Sequence, residues 1–146
     1  MALLRVNVSA FRQTLLIVDD DPDDQELLRE ALDEAGFDGS VHTAGDGDTA
    51  LAWLRVQETR PDLMVLDLHM PRVRGFELLA QIRADPKLRP MPVVVMTTSW
   101  SQDDVRRAYE LGVNSFLIKP VLFEELVHTV ESLVYYWFTL NELPPA

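Results

Sequence analysis

Short aliphatic runs alternate along this chain with longer stretches in which apolar residues return every three or four positions. LLIV at 15–18 reads as a buried strand. Behind it Pro22 suits a first helical turn, and Leu27, Leu28, Ala31, Leu32 and Ala35 recur on one helix face until Gly36 ends it. The pattern then repeats: a short strand over 41–44, a helix beginning near Asp48 in DGDTALAWL, a strand over 63–67, and a helix FELLAQIRA after Gly75 that stops before Pro86. VVVMT at 93–97 sets β-branched residues side by side with no polar alternation. A helix over about 102–111, the strand SFLI at 115–118 and a long helix over about 122–138 complete the series. Strands that are continuously apolar and alternate with helices predict an α/β fold, a doubly wound five-stranded parallel sheet with helices on both faces.

The first 13 residues have no clear period and read as an N-terminal extension; 14–140 form one domain, and 141–146 a short tail. At 146 residues and 47% hydrophobic content the chain can bury a substantial core. Its 13 Lys and Arg against 24 Asp and Glu give a net charge of -11, which argues against DNA or RNA as a direct partner. Without cysteine there is no disulfide framework and no Cys-based zinc site. His42, His69 and His128 are too far apart for a local metal motif. No apolar run approaches the roughly twenty residues a spanning helix needs, and no secretory leader is visible, so a cytoplasmic protein with no membrane association is expected.

In parallel α/β sheets ligands bind at the carboxyl ends of the strands, near the switch in strand order. Asp19, Asp20 and Asp21 end the first strand, Asp67 the third, Thr97 and Thr98 the fourth, and Lys119, followed by Pro120, the fifth. Carboxylates converging there repel one another unless a cation joins them, and oxygen-only ligands on a half-open site suit Mg²⁺. An Asp beside such an ion can attack phosphorus as a carboxylate nucleophile, with Lys119 and a threonine hydroxyl available to two further phosphoryl oxygens. Each residue also has a plainer explanation. DDDPDD before a helix commonly caps the helix dipole, as Asp21, Asp23 and Asp24 are expected to do. Asp67 alone could be a turn former, Thr97 and Thr98 simple β-formers, and Lys119 a snorkelling side chain. Their arrival at one sheet edge is what favours chemistry.

LLIVDDD, VLDLHMP with Gly75 four residues after Pro71, VVVMTTS and SFLIKP resemble the signature blocks of the receiver domain of two-component response regulators, over roughly 14–138. The resemblance implies a flavodoxin-like (β/α)5 fold with strand order 2-1-3-4-5 and Asp67 as phospho-acceptor. It implies Mg²⁺ held by Asp20 directly, Asp19 mainly through water, Asp67, and the backbone carbonyl of His69. It makes Thr97 the switch hydroxyl, Phe116 the switch aromatic and Lys119 the phosphate-contacting lysine, with the bond before Pro120 commonly cis. The His69 side chain and Ser99 occupy positions that modulate phosphoryl lifetime in this family. Arg74 departs from the pattern, which has an acid before the equivalent of Gly75.

LRPMPVVVMTTSWSQDDV, YELGVNSFLIKPV and an aromatic end closing in LPP are similar to single-domain regulators that serve phytochrome histidine kinases. That likeness implies a partner histidine kinase, a phytochrome, and output through protein contacts, since only eight residues follow Phe138. Val134, Tyr135, Tyr136, Trp137 and Phe138 make the last helix apolar almost all round, which favours a homodimer through that helix with the fourth helix and fifth strand. Such a protein is a switch and not an enzyme beyond its own phosphorylation and dephosphorylation. Two rivals stand beside this reading. Asp19 and Asp21 form a D-x-D of the kind used by haloacid-dehalogenase phosphatases, and a receiver-like interaction module could work without phosphate.

Overall fold

The structure, a computed structural model, describes residues 13–70, 75–98 and 100–145. The expectations placed on residues 1–12, on Pro71, Arg74 and on Ser99 lie outside the described residues. The elements are β1 (Thr14–Val18), α1 (Pro22–Glu34), β2 (Ser40–Ala44), α2 (Gly47–Val56), β3 (Leu63–Leu66), α3 (Gly75–Ala84), β4 (Val93–Thr97), α4 (Gln102–Glu110), β5 (Ser115–Ile118) and α5 (Phe123–Tyr135), followed by a π-helical turn over Tyr136–Leu140. All strand pairs are parallel, in the order β2-β1-β3-β4-β5. The order therefore reverses at β1, and the carboxyl ends of β1 and β3 flank the crevice where such folds place their ligands.

Successive side chains of a strand point to opposite sheet faces, and here both faces are apolar. Leu16, Val18, Met64, Leu66, Val93 and Val95 pack toward α2, α3 and α4; Leu15, Ile17, Leu63, Val65, Val94 and Met96 pack toward α1 and α5. That is why the strands read as unbroken aliphatic runs. Coverage is incomplete at one side: Ser115, Phe116 and Leu117 are only half-buried, and Ile118 at the end of β5 is 48% exposed. Among the described residues no helix is long and apolar enough to cross a membrane.

The end of α5 differs from the regular helix expected to Phe138. Regular α-helix stops at Tyr135, and the wider π turn shifts the register of everything after it. Trp137 and Phe138 consequently turn inward against the α1/α5 side of the core, the Phe138 ring 5.3 Å from that of Phe37. Tyr135 and Tyr136 remain exposed. The apolar band is thus divided between packing within the chain and free surface. Beyond it the Asn141 N–H donates to the Tyr136 carbonyl at 2.7 Å, and Arg60 donates to the Pro145 carbonyl at 2.8 Å.

The three histidines have separate surroundings. His42 stacks on Trp53 with centroids 4.0 Å apart, His69 Nε2 lies 3.6 Å from Asp104, and His128 faces Glu131 at 3.2 Å.

Candidate functional site

The parallel register alone brings the strand ends together. Val18 pairs with Leu66 and Leu66 with Val95, so Asp19 and Asp67 leave adjacent strands side by side, with Thr97 at the end of the next. Ile118 pairs with Thr97, and the Lys119 N–H donates to the Thr97 carbonyl at 2.8 Å, which fixes where the lysine leaves the sheet. Among the described residues Asp19 and Thr97 are the buried polar residues. Asp20 is exposed and Asp67 half-buried.

Asp19, Asp20 and Asp67 each offer a carboxylate oxygen, and these oxygens lie within 4.8 Å of one another. Asp19 Oδ1 accepts the Asp21 N–H at 3.0 Å, while Oδ2 meets Lys119 Nζ at 3.0 Å. Asp67 Oδ1 accepts the His69 N–H at 3.0 Å, which orients the carboxylate. Burial pushes the Asp19 carboxyl above its ordinary range, against the opposing pull of the Asp21 N–H and Lys119; the charge on Asp67 adds to the rise. Burial works to lower Lys119, but its hydrogen bond to Asp19 and the charges of Asp19, Asp24 and Asp67 outweigh it and hold the ammonium above its usual value. Three carboxylates gathered around one ammonium leave the site with an excess of negative charge. The donor set therefore fits a small, hard divalent cation: all oxygen, three carboxylates, one of them buried.

Asp21 is the N-cap of α1 and its carboxylate accepts the Asp23 N–H at 2.9 Å, as expected of a cap. Asp24 corrects the expectation that it merely solvates the helix start. It stands at the third helical position, where an acid commonly reaches back to the N-cap N–H. Here that N–H is taken by Asp19, and Asp24 Oδ2 instead lies 3.5 Å from Lys119 Nζ. Gln25 was also not singled out from sequence: its amide donates to the Asp19 carbonyl at 2.6 Å and reaches the Ala44 carbonyl at 3.4 Å, tying together the ends of β1 and β2. A glutamine in the first turn of a helix behind a strand end is the signal that could have found it.

The bond before Pro120 is trans, not the cis form the resemblance implied, since no cis peptide occurs among the described residues. Trans is the lower-energy form of an X-Pro bond, and Lys119 reaches Asp19 with it. Phe116 is half-buried beside the core on the α3/α4 side. The His69 side chain is exposed and bridges toward Asp104 in the first turn of α4.

Gly75 presses directly on the loop that carries Asp67. Its N–H donates to the Leu68 carbonyl at 3.2 Å, and a Cβ there would stand 2.5 Å from Leu68 Cα and 2.9 Å from the Asp67 carbonyl oxygen. Because both obstacles are backbone, Gly75→Ala is expected to shift the loop, costing roughly 1–3 kcal/mol in urea denaturation. A loss under about 0.5 kcal/mol would show that the loop yields without strain.

The model of the response regulator receiver domain matches residues 15–131. The probable methanogenesis regulatory protein FilR2 of Methanothrix harundinacea is 44% identical over 134 residues, covering 89% of this chain and 86% of its own. The crystal structure of the phosphorylated cyanobacterial phytochrome response regulator RcpA matches with a TM-score of 0.85 at 35% identity, over 92% of this chain and 99% of that one. The Mn²⁺-bound form of response regulator Rcp1, a protein of Synechocystis, matches with a TM-score of 0.82 at 36% identity, over 91% and 99%.

Proposed function

The chain belongs to the response regulator receiver domain family, and from that membership we propose that it is a phosphorylation-operated switch whose acceptor is Asp67. The observation that carries the proposal is the cluster of Asp19, Asp20 and Asp67 with the Lys119 ammonium beside it. In the proposed reaction an Asp67 oxygen attacks the phosphorus of a phosphohistidine on a partner histidine kinase. The P–N bond breaks, its electron pair stays on the imidazole nitrogen, which takes up a proton, and an acyl phosphate remains on Asp67. Mg²⁺, held by Asp19, Asp20, Asp67 and the His69 carbonyl, would offset the charge of the acids and of the transferring oxygens. Lys119 contacts a second phosphoryl oxygen and the Thr97 hydroxyl a third. Thr97 and Phe116 then shift together, which changes the surface of α4, β5 and α5; the phosphate favours that state only through contacts it makes there and not in the other. The His69 side chain and Ser99 tune the lifetime of the acyl phosphate by controlling the approach of water.

Beside Lys119 a cleft of about 270 Å³ is lined by Leu27, Val121, Leu122 and Phe123, all exposed apolar side chains. A surface of that kind at the rim of an acceptor site suits the helices that carry a phosphohistidine. The likeness to RcpA over nearly the whole chain supports a phytochrome as the kinase. Tyr109, Ile118, Tyr135, Tyr136 and Leu140 are exposed on or near α4, β5 and α5, and they support a homodimer through that face in which Trp137 and Phe138 contribute from beneath. With a net charge of -11, output passes through protein contacts and not DNA.

Intact-mass spectrometry after incubation with acetyl phosphate tests the reading. One phosphoryl group per chain is expected with Mg²⁺ and none after chelation. If the protein gains none under either condition, it is a receiver-like interaction module instead.

A further inference from the structure

Among the described residues the Lys119 ammonium has two ion-pair partners, and only one belongs to the carboxylate cluster. Its Nζ lies 3.0 Å from Asp19 and 3.5 Å from Asp24; its side chain is 10% exposed, that of Asp24 34%. Asp24 is outside the group of Asp19, Asp20 and Asp67, and the cap of α1 is supplied by Asp21 without it. Asp67 acts on the lysine through its charge, with no hydrogen bond between them. The ammonium is therefore drawn to the α1 side by a carboxylate with no duty in the cap or the cluster.

We propose that Asp24 is a positioning residue that holds Lys119 back from the phosphoryl group on Asp67. This rests on the receiver reading and deepens it. A phosphoryl oxygen on Asp67 competes with Asp24 for the ammonium, so the pull of Asp24 is set against what the phosphoryl group gains. Asp24 thereby sets how readily the site is phosphorylated and how much of the population stays in the phosphorylated state. An acid at this helix position raises the threshold of the switch without touching the reacting atoms. Since one partner is a third exposed, the effect is that of a partly solvated ion pair, about two- to fivefold in an equilibrium constant.

The test uses beryllofluoride, a phosphoryl mimic, titrated into the full chain at saturating Mg²⁺ and followed by fluorine NMR. Asp24→Asn is expected to tighten beryllofluoride about two- to fivefold, and Asp24→Glu to return it toward wild type. In a Lys119→Met background the same Asp24→Asn change is expected to have no effect, because the lysine through which it acts is gone. A gain that survives in that background assigns Asp24 only general repulsion of anions and overturns the proposal. Unchanged or weaker binding in Asp24→Asn alone overturns it too, the latter meaning that Asp24 aims the lysine at the phosphate. Should the wild type bind no beryllofluoride at all, the receiver reading itself falls, and this inference with it.

Discussion

Asp67→Asn is expected to abolish the Mg²⁺-dependent gain of a phosphoryl group while leaving the fold intact. The substitution keeps size and shape, and its carboxamide oxygen can still accept the His69 N–H that now meets Oδ1 at 3.0 Å. What it removes is the anionic oxygen proposed to attack phosphorus and one of three oxygens that lie within 4.8 Å of one another. Two further effects follow from charge. Divalent-cation affinity falls, and in the absence of cation the variant melts at or above the wild-type temperature, because a charge that pushes Asp19 upward is gone. Intact mass and thermal melts with and without Mg²⁺ check both. Persistent phosphorylation of the variant would remove Asp67 from the mechanism and return attention to Asp19, despite the engagement of Asp21 in the helix cap.

The largest loss of stability is expected at the other end of the sheet, from Arg83→Leu. Arg83 leaves the last turn of α3, and its Nε donates to the Gly112 carbonyl at 2.9 Å. Nη1 donates to the carbonyls of Arg89 at 2.7 Å and Met91 at 2.8 Å, and Nη2 to Asn114 Oδ1 at 3.0 Å. Asn114 Oδ1 in turn accepts the Val93 N–H at 2.8 Å. One guanidinium thus joins the loop before β4 to the loop before β5. Burial lowers the arginine's pKa from its ordinary value, which marks the fork as partly withdrawn from water. Gly112 takes φ +96° there, and its missing Cβ leaves room for the Arg83 stem, which would otherwise stand 3.2 Å away. Leucine leaves three carbonyls short of a donor, at a cost of about 2–4 kcal/mol. Lysine is expected to recover less than half of it, because a point charge cannot reproduce the fork. Urea denaturation measures the loss, and phosphorylation should persist, since these loops lie at the amino ends of the strands. A cost below about 1 kcal/mol would mean that water replaces the guanidinium at those carbonyls.

The strands were legible because a parallel sheet buried on both faces demands unbroken apolar runs, as at 15–18, 63–66 and 93–97, whereas their order came only from the resemblance to receiver domains. The convergence of Asp19, Asp67, Thr97 and Lys119 followed from the rule for strand ends, and the structure brings them together. What escaped were features decided by competition for a partner. Asp24 and Asp21 look equivalent in DDDPDD, and only the capture of the Asp21 N–H by Asp19 frees Asp24 for Lys119. The aromatic run after Val134 is apolar at every position and carries no sign of the π turn that sends Trp137 inward and leaves Tyr136 outside. The half-open flank at β5 was equally hidden, because SFLI is as aliphatic as a fully buried strand.

The three tryptophans sit in three different environments, so the protein's own emission can be resolved into local signals. Trp53 lies flat on His42, whose pKa burial and Arg29 hold below the ordinary value, so imidazolium quenching of this indole sets in only on acidification below the usual histidine range. Trp137 is half-buried against the α1/α5 core and edge-on to Tyr136 at 5.2 Å, where it answers to unfolding and to events at the end of α5. Trp100 is half-exposed three residues after Thr97, the hydroxyl proposed to act as the switch. With Trp53 and Trp137 replaced by phenylalanine, Trp100 becomes a label-free optical reporter of that switch.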